Sequence, residues 1–309
     1  SVDNVRDLWA AFWRFWNRIG VEYGTRYADF GSRTIVPPNQ RKPPFWRECQ
    51  PLFQIKFSAF HGNDENYMAY FKAINDYGLT WIHGYPSCIM PFASFVAQNG
   101  LTFDKPIKAV TASAENLYGY QRSIIEKAFG VEPHALYGLT EAVACIGEDA
   151  DHDYIVDEDY SAVEFIECGD YSRIVGSNLT NFAFPLLRYD TGDLAITTDR
   201  LKNGRRVIER IDGRTGELLS LPDGGKVGAL SALFTESATI KEAQIHQLED
   251  YSVEISFVPL SDNYTEDIAE AEKRFRDRTK GMLPVSFKRV DGIERTKRGK
   301  LRYVVSDIK

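Results

Sequence analysis

The stretch Trp81-Ile82-His83-Gly84-Tyr85-Pro86-Ser87 decides the fold class, because it predicts a short strand that enters a turn and then a helix. We expect Ser87 to cap this helix, which would run to about Asn99. The same alternation continues on both sides, with a helix at 64–77, a β-rich run at 108–112, a helix at 116–130 and a short strand at 135–138. Strands that alternate with helices in this way predict α/β layers.

Upstream of this stretch, the chain begins with a predicted amphipathic helix that ends near Gly20. Its apolar stripe has the i, i+3, i+4, i+7 spacing of one helix face and consists of Trp9, Phe12, Trp13 and Trp16. The segment 31–51 carries five prolines, so we expect irregular chain there.

Downstream, the pattern changes to short strands separated by turns, at 162–166, 173–178, 192–198 and 206–211. After Gly213-Arg214-Thr215-Gly216 we expect a helix at 227–235, a half-buried strand at 251–257, a charged helix at 265–280 and a strand near 285–289. The predicted fold is therefore a large layered α/β domain with a small β unit, at 1–213. A small α+β C-terminal lid domain would follow at 214–309.

Composition excludes several classes of protein. The 309 residues carry a formal net charge of −7, which argues against a nucleic-acid partner because phosphate contacts need clustered lysines and arginines. No apolar run reaches the roughly 18 residues of a membrane-spanning helix, and the N-terminus lacks the pattern of a signal peptide. The four cysteines are widely spaced, so we expect reduced, buried thiols in a cytoplasmic protein.

Several familiar site motifs are missing. The sequence has no GxSxG, HExxH or GxGxxG, and the segment 292–300 does not fit a Walker phosphate loop. The acidic stretch 148–153 fails the EF-hand pattern and predicts a solvated loop instead. The five histidines are scattered, and we expect them to be structural or surface residues.

Three polar blocks remain, and each alone could be an ordinary turn. They are Tyr137-Gly138-Leu139-Thr140-Glu141, Leu187-Arg188-Tyr189-Asp190-Thr191-Gly192-Asp193 and Arg295-Thr296-Lys297-Arg298-Gly299-Lys300, with Gly213-Arg214 between the second and the third. In this order they resemble the adenylate-forming superfamily of acyl- and aryl-CoA ligases. Pro43-Pro44-Phe45-Trp46-Arg47, His83 to Ser87 and Asn181-Phe182-Ala183-Phe184-Pro185 add a resemblance to the phenylacetate-CoA ligase branch, and within it to the CapK-like family.

The resemblance implies an ATP-dependent ligase that uses Mg²⁺. A carboxylate would attack the α-phosphate of ATP to give an acyl- or aryl-adenylate, and CoA would then take the acyl group. The nucleotide would be bound by Tyr137, Gly138, Asp193, Arg214, Ser113 and Glu115. Tyr137 would lie against the adenine, and Asp193 would accept hydrogen bonds from the ribose hydroxyls.

The resemblance also implies the catalytic residues. Thr140 would contact a phosphate oxygen, Glu141 would hold Mg²⁺, and Lys300 would bridge the attacking carboxylate and the α-phosphate. Glu217 would be the hinge of a mobile lid domain. The acid substrate, a small-molecule carboxylic acid, would lie against Tyr85, Pro86, Ala112 and Ala142.

Alternatives stay open at this point. The acyl group could pass to an amine to form an amide, or the chain could be an inactive nucleotide-binding module. The family's Ser/Thr/Gly-rich phosphate loop does not occur in the sequence, so we expect a truncated large domain and little adenylation by these 309 residues alone. Cys145 and His152 could be remnants of a zinc site found in some relatives, but four ligands cannot be assembled. Relatives of this kind make a homodimer reasonable and are associated with capsular polysaccharide biosynthesis.

Overall fold

The computed structural model describes residues 2–31, 33–214, 218–228, 230–234, 237, 239–295 and 301–308. Within them, a large sheet with flanking helices is followed by a smaller C-terminal sheet. This confirms the predicted mixed α/β class with a small second domain.

The large sheet has twelve strands, and its first part is mostly parallel. The parallel strands are β1 (Tyr27–Phe30), β3 (Gln54–Phe57), β4 (Trp81–Gly84), β5 (Ala109–Ser113) and β6 (Pro133–Gly138), in the order β3-β1-β4-β5-β6. Strand β2 (Trp46–Cys49) adds antiparallel to β3. The large-domain helices are α1 (Val2–Arg18), α2 (Asp64–Asp76), α3 (Pro86–Gln98) and α4 (Gly119–Phe129).

The second part of the same sheet is antiparallel. It contains β7 (Cys145–Glu148), β8 (Tyr154–Val156), β9 (Ser161–Cys168), β10 (Tyr171–Asn178), β11 (Tyr189–Lys202) and β12 (Arg205–Arg214). The predicted β unit is therefore present, but it continues the α/β sheet through β6–β7 pairing instead of forming a separate sheet. As a result, residues from both parts can meet at one sheet edge.

The small domain contains the hairpin β13 (Leu219–Ser220) and β14 (Lys226–Val227) and a four-stranded sheet. The sheet has the order β17-β16-β15-β18, with β15 (Ile240–Gln247), β16 (Val253–Pro259), β17 (Val285–Arg289) and β18 (Val304–Ser306), and it carries helix α5 (Thr265–Arg278). The predicted helix at 227–235 was wrong. That segment forms β14 and a short 3-10 helix, Leu230–Phe234.

One local helix prediction was wrong. Helix α3 begins at Pro86 with Tyr85 as its N-cap, so Ser87 lies inside the first turn and is not the cap. The predicted stripe of α1 does face the core: Trp16 is buried together with Ala11 and Phe15, and Trp9, Phe12 and Trp13 pack half-buried against the same cluster. None of the helices that the structure describes is long and apolar enough to cross a membrane.

The cysteines and the acidic loop also differ from expectation. All four cysteines are free thiols, but only Cys145 is buried, and Cys168 is exposed. The acidic loop after β7 is not simply solvated, because the Lys202 ammonium lies 2.6 Å from Asp149 and 2.7 Å from Asp151. The β11–β12 hairpin, which carries Lys202, thus holds this loop in place.

Candidate functional site

The carboxyl ends of the central parallel strands lie side by side. Gly84 of β4 pairs with Ala112 of β5, and Ala112 pairs with Ala135 of β6. A side chain at Gly84 would not fit, because an added Cβ would lie 2.3 Å from the carbonyl oxygen of Phe30. In open α/β sheets, ligands bind outside the carboxyl ends of the strands. The predicted pocket residues Tyr85, Pro86 and Ala112 all belong to this edge.

A hydrogen bond at this edge joins the first two sequence blocks. The Tyr137 hydroxyl, at the end of β6, donates to Asp193 Oδ2 on β11 at 2.7 Å. Asp193 is only 6% exposed, and its own N–H donates to Thr191 Oγ1 at 3.0 Å. The two predicted nucleotide-binding side chains are therefore held together although 56 residues separate them. The backbone of Arg214 on β12 pairs with Asp193, which brings a third predicted position to the same place.

The turn after β6 carries the predicted phosphate and metal residues. Ala142 N donates to Leu139 O at 3.0 Å, and Ala142 is buried in the left-handed region at φ 59°. Thr140 is exposed and Glu141 is half-buried. Neither side chain has a hydrogen bond or ion pair among the residues that the structure describes. Both oxygen groups are thus available to a ligand.

Asn178 connects this turn to the segment just before the second block, and sequence reasoning did not identify it. Its Nδ2 donates to the carbonyl oxygens of Glu141 at 3.3 Å and Phe184 at 3.1 Å, and its Oδ1 accepts from Leu186 N at 3.3 Å. An asparagine at the end of a strand is a common surface residue, so its sequence position carries no signal. Its importance follows from 8% exposure together with three backbone partners.

Glu115 lies beyond the end of β5, two residues after Ser113. Its Oε2 accepts from the backbone N of Ser87 at 3.0 Å, and its Oε1 accepts from Ser87 Oγ at 2.9 Å. A carboxylate at this position satisfies one of the amide groups that are left free at the start of α3. Glu115 therefore fixes the start of α3 beside the site, a structural role in addition to the predicted nucleotide contact.

A half-buried histidine directly precedes Gly84 on β4. His83 Nδ1 and Trp81 Nε1 both lie 2.8 Å from Thr111 Oγ1. Burial lowers the pKa of His83, because desolvation disfavours the charged imidazolium.

Three predicted site residues cannot be placed by their side chains. Lys300 and Glu217 lie outside the described residues, and only the backbone of Arg214 is described. The described residues that flank 296–300 in the sequence, Arg295 and Leu301, form an isolated antiparallel bridge, and Arg295 Nη2 donates to Glu242 Oε1 at 2.6 Å. The described start of the third block is therefore fixed to the small domain.

Two groups of described side chains are candidates for holding a metal ion. Glu141 and Thr140 offer side-chain oxygens that have no partner among the described residues, and such oxygens suit Mg²⁺ as a hard cation. A second group, formed by His134, Glu148 and His152, has candidate ligand atoms within 4.8 Å of one another.

That second group does not suit zinc. The rings of His134 and His152 stack with centroids 4.3 Å apart and planes 2° apart, so their lone pairs do not converge on one point. Arg122 already binds both oxygens of Glu148. Cys145 is not part of the group, so the residues suggested as zinc remnants do not come together; His152 joins an ion-pair network instead.

Known proteins resemble this chain in sequence and in fold. Residues 219–307 match the family model of the CapK C-terminal domain. Protein CapK of Staphylococcus aureus is 28% identical over 305 residues, which are 94% of this chain and 67% of that protein. Indoleacetate–lysine synthetase of Pseudomonas savastanoi is 34% identical over 130 residues, 41% of this chain and 32% of that protein.

Among solved structures, 2-hydroxyisobutyryl-CoA ligase superposes in two states. In the postadenylation state, bound to R3-HIB-AMP, it has a TM-score of 0.66 at 16% identity and covers 98% of this chain and 69% of its own. In the thioesterification state, with 2-HIB-AMP and CoA, the TM-score is 0.53 at 15% identity with the same coverage.

Proposed function

We propose that this chain, a homologue of CapK with the fold of the adenylate-forming acyl- and aryl-CoA ligases, is part of an ATP-dependent, AMP-forming carboxylate ligase. The product would be an acyl- or aryl-CoA thioester. The chain spans about two thirds of the CapK relative, so the activity is proposed for the protein as a whole.

The hydrogen bond between Tyr137 and Asp193 is the observation that carries this proposal. It joins an aromatic ring to a carboxylate at the carboxyl edge of a parallel sheet, and these are the groups that an adenosine needs. The ring offers a flat surface to the base, and Asp193 Oδ1 and Oδ2 offer acceptors to the ribose hydroxyls. Ser113, Gly138 and Arg214 would complete the nucleotide site.

In the first step, a carboxylate oxygen of the acid would attack the α-phosphorus of ATP, and the bond to pyrophosphate would break. Two anions must approach each other, so the site needs positive charge where charge develops. Lys300 would supply it at the attacking oxygen. Bound Mg²⁺, held by Glu141 with Thr140 beside it, would neutralise phosphate oxygens.

In the second step, the thiol sulfur of CoA would attack the acyl carbon, and AMP would leave with the bonding electrons. The acid would lie against Tyr85, Pro86, Ala112 and Ala142. Of these, Tyr85 is half-buried, whereas Pro86, Ala112 and Ala142 are buried. The small domain, with a hinge at Glu217, would move between the two steps.

ATP–pyrophosphate exchange in the full-length protein tests this function. We expect exchange with at least one member of a panel of aliphatic and aromatic acids. Asp193→Asn should weaken ATP binding, whereas Lys300→Ala should reduce exchange far more than ATP binding. The absence of exchange with every acid, under conditions where ATP binds, would reject the ligase and favour a nucleotide-binding module.

A second candidate is amide formation, and the match to indoleacetate–lysine synthetase favours it specifically. An amine would then replace the CoA thiol as the nucleophile on the acyl carbon. Product analysis with CoA withheld and lysine or another amine supplied separates the two. An amide formed without CoA would establish the second candidate.

A further inference from the structure

The segment that follows β3 contains a buried serine–histidine pair. Ser58 is 0% exposed and His61 is 8% exposed. Ser58 Oγ lies 2.8 Å from His61 Nδ1. The ring of Phe45 stacks on the ring of His61, with the centroids 4.7 Å apart. The pair is therefore held in one place and is shielded from water.

The backbone of this segment is hydrogen-bonded, but one nitrogen of the histidine is not. Ser58 N donates to Phe45 O at 2.9 Å, and Ser58 O accepts from the Tyr70 hydroxyl at 2.7 Å. His61 O accepts from Asn66 Nδ2 at 2.8 Å. In contrast, His61 Nε2 is buried and has no hydrogen-bond partner in the part of the chain that the structure describes. Because buried polar groups are nearly always partnered, we expect a partner from outside the described residues.

The contact with Ser58 indicates which proton state His61 Nε2 has. If the Ser58 hydroxyl donates to Nδ1, the neutral imidazole carries its own hydrogen on Nε2. The opposite arrangement leaves the buried Ser58 hydroxyl hydrogen without an acceptor, because Ser58 Oγ makes no other hydrogen bond to the described residues. The first arrangement is therefore favoured, and it makes His61 Nε2 a donor to an oxygen atom.

The serine–histidine pair lies at the carboxyl edge of the sheet, where ligands of open α/β sheets bind. Asp29 on β1 pairs with Lys56 of β3 on one side and with His83 of β4 on the other. Ser58 and Tyr85 each lie two residues beyond that row. Since neighbouring strands are about 4.8 Å apart, the backbones of these two residues are separated by about 10 Å. An acid that lies against Tyr85 and extends along the edge would therefore reach the pair.

Tyr67 on α2 connects the pair to the start of α3. A Cβ added at Gly62, the residue after His61, would lie 2.3 Å from the Tyr67 hydroxyl oxygen. Burial raises the pKa of Tyr67, and the nearby sulfur of Cys88, in the first turn of α3, raises it further. The Tyr67 hydroxyl thus lies between the segment that carries His61 and the turn that begins at Pro86.

We propose that His61 determines the substrate specificity of the ligase, because its Nε2 donates a hydrogen bond to an oxygen of the acid that is remote from the reacting carboxylate. This inference rests on the proposed ligase function and names its substrate class. The substrate is an elongated carboxylic acid with a hydroxyl or carbonyl oxygen at its distal end. A hydrocarbon acid of the same length would leave Nε2 buried without a partner, so it should be a poorer substrate.

The test uses the full-length protein and matched sets of acids. Each set contains an unbranched acid, its ω-hydroxy derivative and its (ω−1)-oxo derivative, and the chain length increases from set to set. A parallel series contains phenylalkanoic acids with and without a para-hydroxyl group. ATP–pyrophosphate exchange gives kcat/KM for each acid.

We expect the wild type to prefer an oxygen-bearing acid by about tenfold or more in at least one set, because a site built to bind a hydroxyl rejects the analogue that lacks it. This comparison needs no variant. Exchange without such a preference in any set would overturn the role of His61, while the ligase would stand. No exchange with any acid would overturn the ligase and the inference together.

Two substitutions then separate recognition from structure. The amide of His61→Asn reaches the position of Nδ1 but not that of Nε2, whereas His61→Gln can place an amide nitrogen near Nε2. We expect His61→Asn to remove the preference with little change in kcat/KM for the unsubstituted acid, and His61→Gln to keep part of the preference.

His246→Asn is the matched control, because His246 Nε2 contacts Asp307 Oδ2 at 2.9 Å in the small domain. It should leave the preference unchanged. A preference that survives in His61→Asn would overturn the inference. An equal loss of activity on every acid of a set would also overturn it and would leave His61 with a structural role only.

Discussion

The hydroxyl of Tyr137 and the carboxylate of Asp193 are ordered with respect to each other by their hydrogen bond and by the surrounding backbone. A ligand that binds both groups loses less conformational entropy when the groups are already in place. The site is preorganised at this point, where two distant parts of the chain meet.

Tyr137→Phe should therefore affect both stability and nucleotide affinity. The variant keeps the ring but removes a hydrogen bond to a charged group, so we expect a loss of about 1.5 kcal/mol in the free energy of unfolding. The KM for ATP should rise several-fold, with a smaller change in kcat. Tyr23→Phe is a suitable control because Tyr23 is 72% exposed. An unchanged KM for ATP would exclude the Tyr137 hydroxyl from the nucleotide site.

The ion-pair network around His152 predicts a pH dependence. The hydrogen bond that His152 donates to the Glu148 carboxylate raises the pKa of His152 above its ordinary value of 6.5. A raised pKa in the folded state means that the added stability is fully present below the unfolded pKa and is lost as the pH rises through the folded pKa.

His152→Gln should remove that contribution. The difference in the free energy of unfolding between wild type and variant should shrink from about pH 6 to about pH 8, as measured by urea unfolding. Parallel curves over this range would show that His152 is not charged in the folded protein.

At the scale of the element, strand β10 crosses the turn after β6 with no room for a side chain. A Cβ at Gly176 would lie 2.0 Å from the Val143 carbonyl oxygen. Two residues further on, Asn178 binds the carbonyl oxygen of Glu141. Strand β10 thus fixes the turn that carries Thr140 and Glu141 both by close packing and by a hydrogen bond.

Gly176→Ala should be strongly destabilising, because backbone must move to admit the methyl group. We expect a loss of about 3 kcal/mol in the free energy of unfolding. Gly292→Ala is the matched control, since nothing lies within 4 Å of its added Cβ, and it should change stability by less than about 0.5 kcal/mol. Equal unfolding midpoints for the two variants would contradict the close approach of β10.

The sequence predicted secondary structure most accurately where strands and helices alternate with clear hydrophobic periodicity. It placed β4, α3, β5, α4 and β6 to within a few residues. It missed β15, whose buried positions include Gln247, because a polar residue breaks the alternation. Gln247 is buried because its side chain binds Ser220 N and Ser220 O, both at 2.8 Å, a pairing that only the fold creates.

The wrong helix at 227–235 has a related cause. Val227, Leu230, Leu233 and Phe234 are all buried, as their helical spacing suggests. Val227, however, pairs with Leu219 in the β13–β14 hairpin, and a 3-10 helix repeats every three residues as well. The candidate site was also predicted only in part, because some of its contacts exist only in the folded chain. The order of the sequence blocks indicated Tyr137 and Asp193. It did not indicate Asn178, whose three hydrogen-bond partners come from other segments.

Across the whole molecule, one sheet connects the parallel and antiparallel parts, so nucleotide binding should stabilise both. A ligand that binds only the folded state adds about 2.7 kcal/mol at a concentration 100 times its Kd. We expect ATP with Mg²⁺ to raise the Tm of the wild type by several degrees and to leave that of Asp193→Asn nearly unchanged. Equal shifts, measured by calorimetry, would place the nucleotide away from Asp193.

The Glu115 carboxylate at the start of α3 has a consequence for inhibition by small anions. The N-terminus of a helix attracts phosphate and sulfate, because its amide groups and dipole favour negative charge. Here the protein supplies its own counter-ion, since Glu115 Oε2 occupies the amide of Ser87. Inorganic phosphate would have to compete with the Glu115 carboxylate for this amide, so we expect the start of α3 to bind phosphate or sulfate weakly.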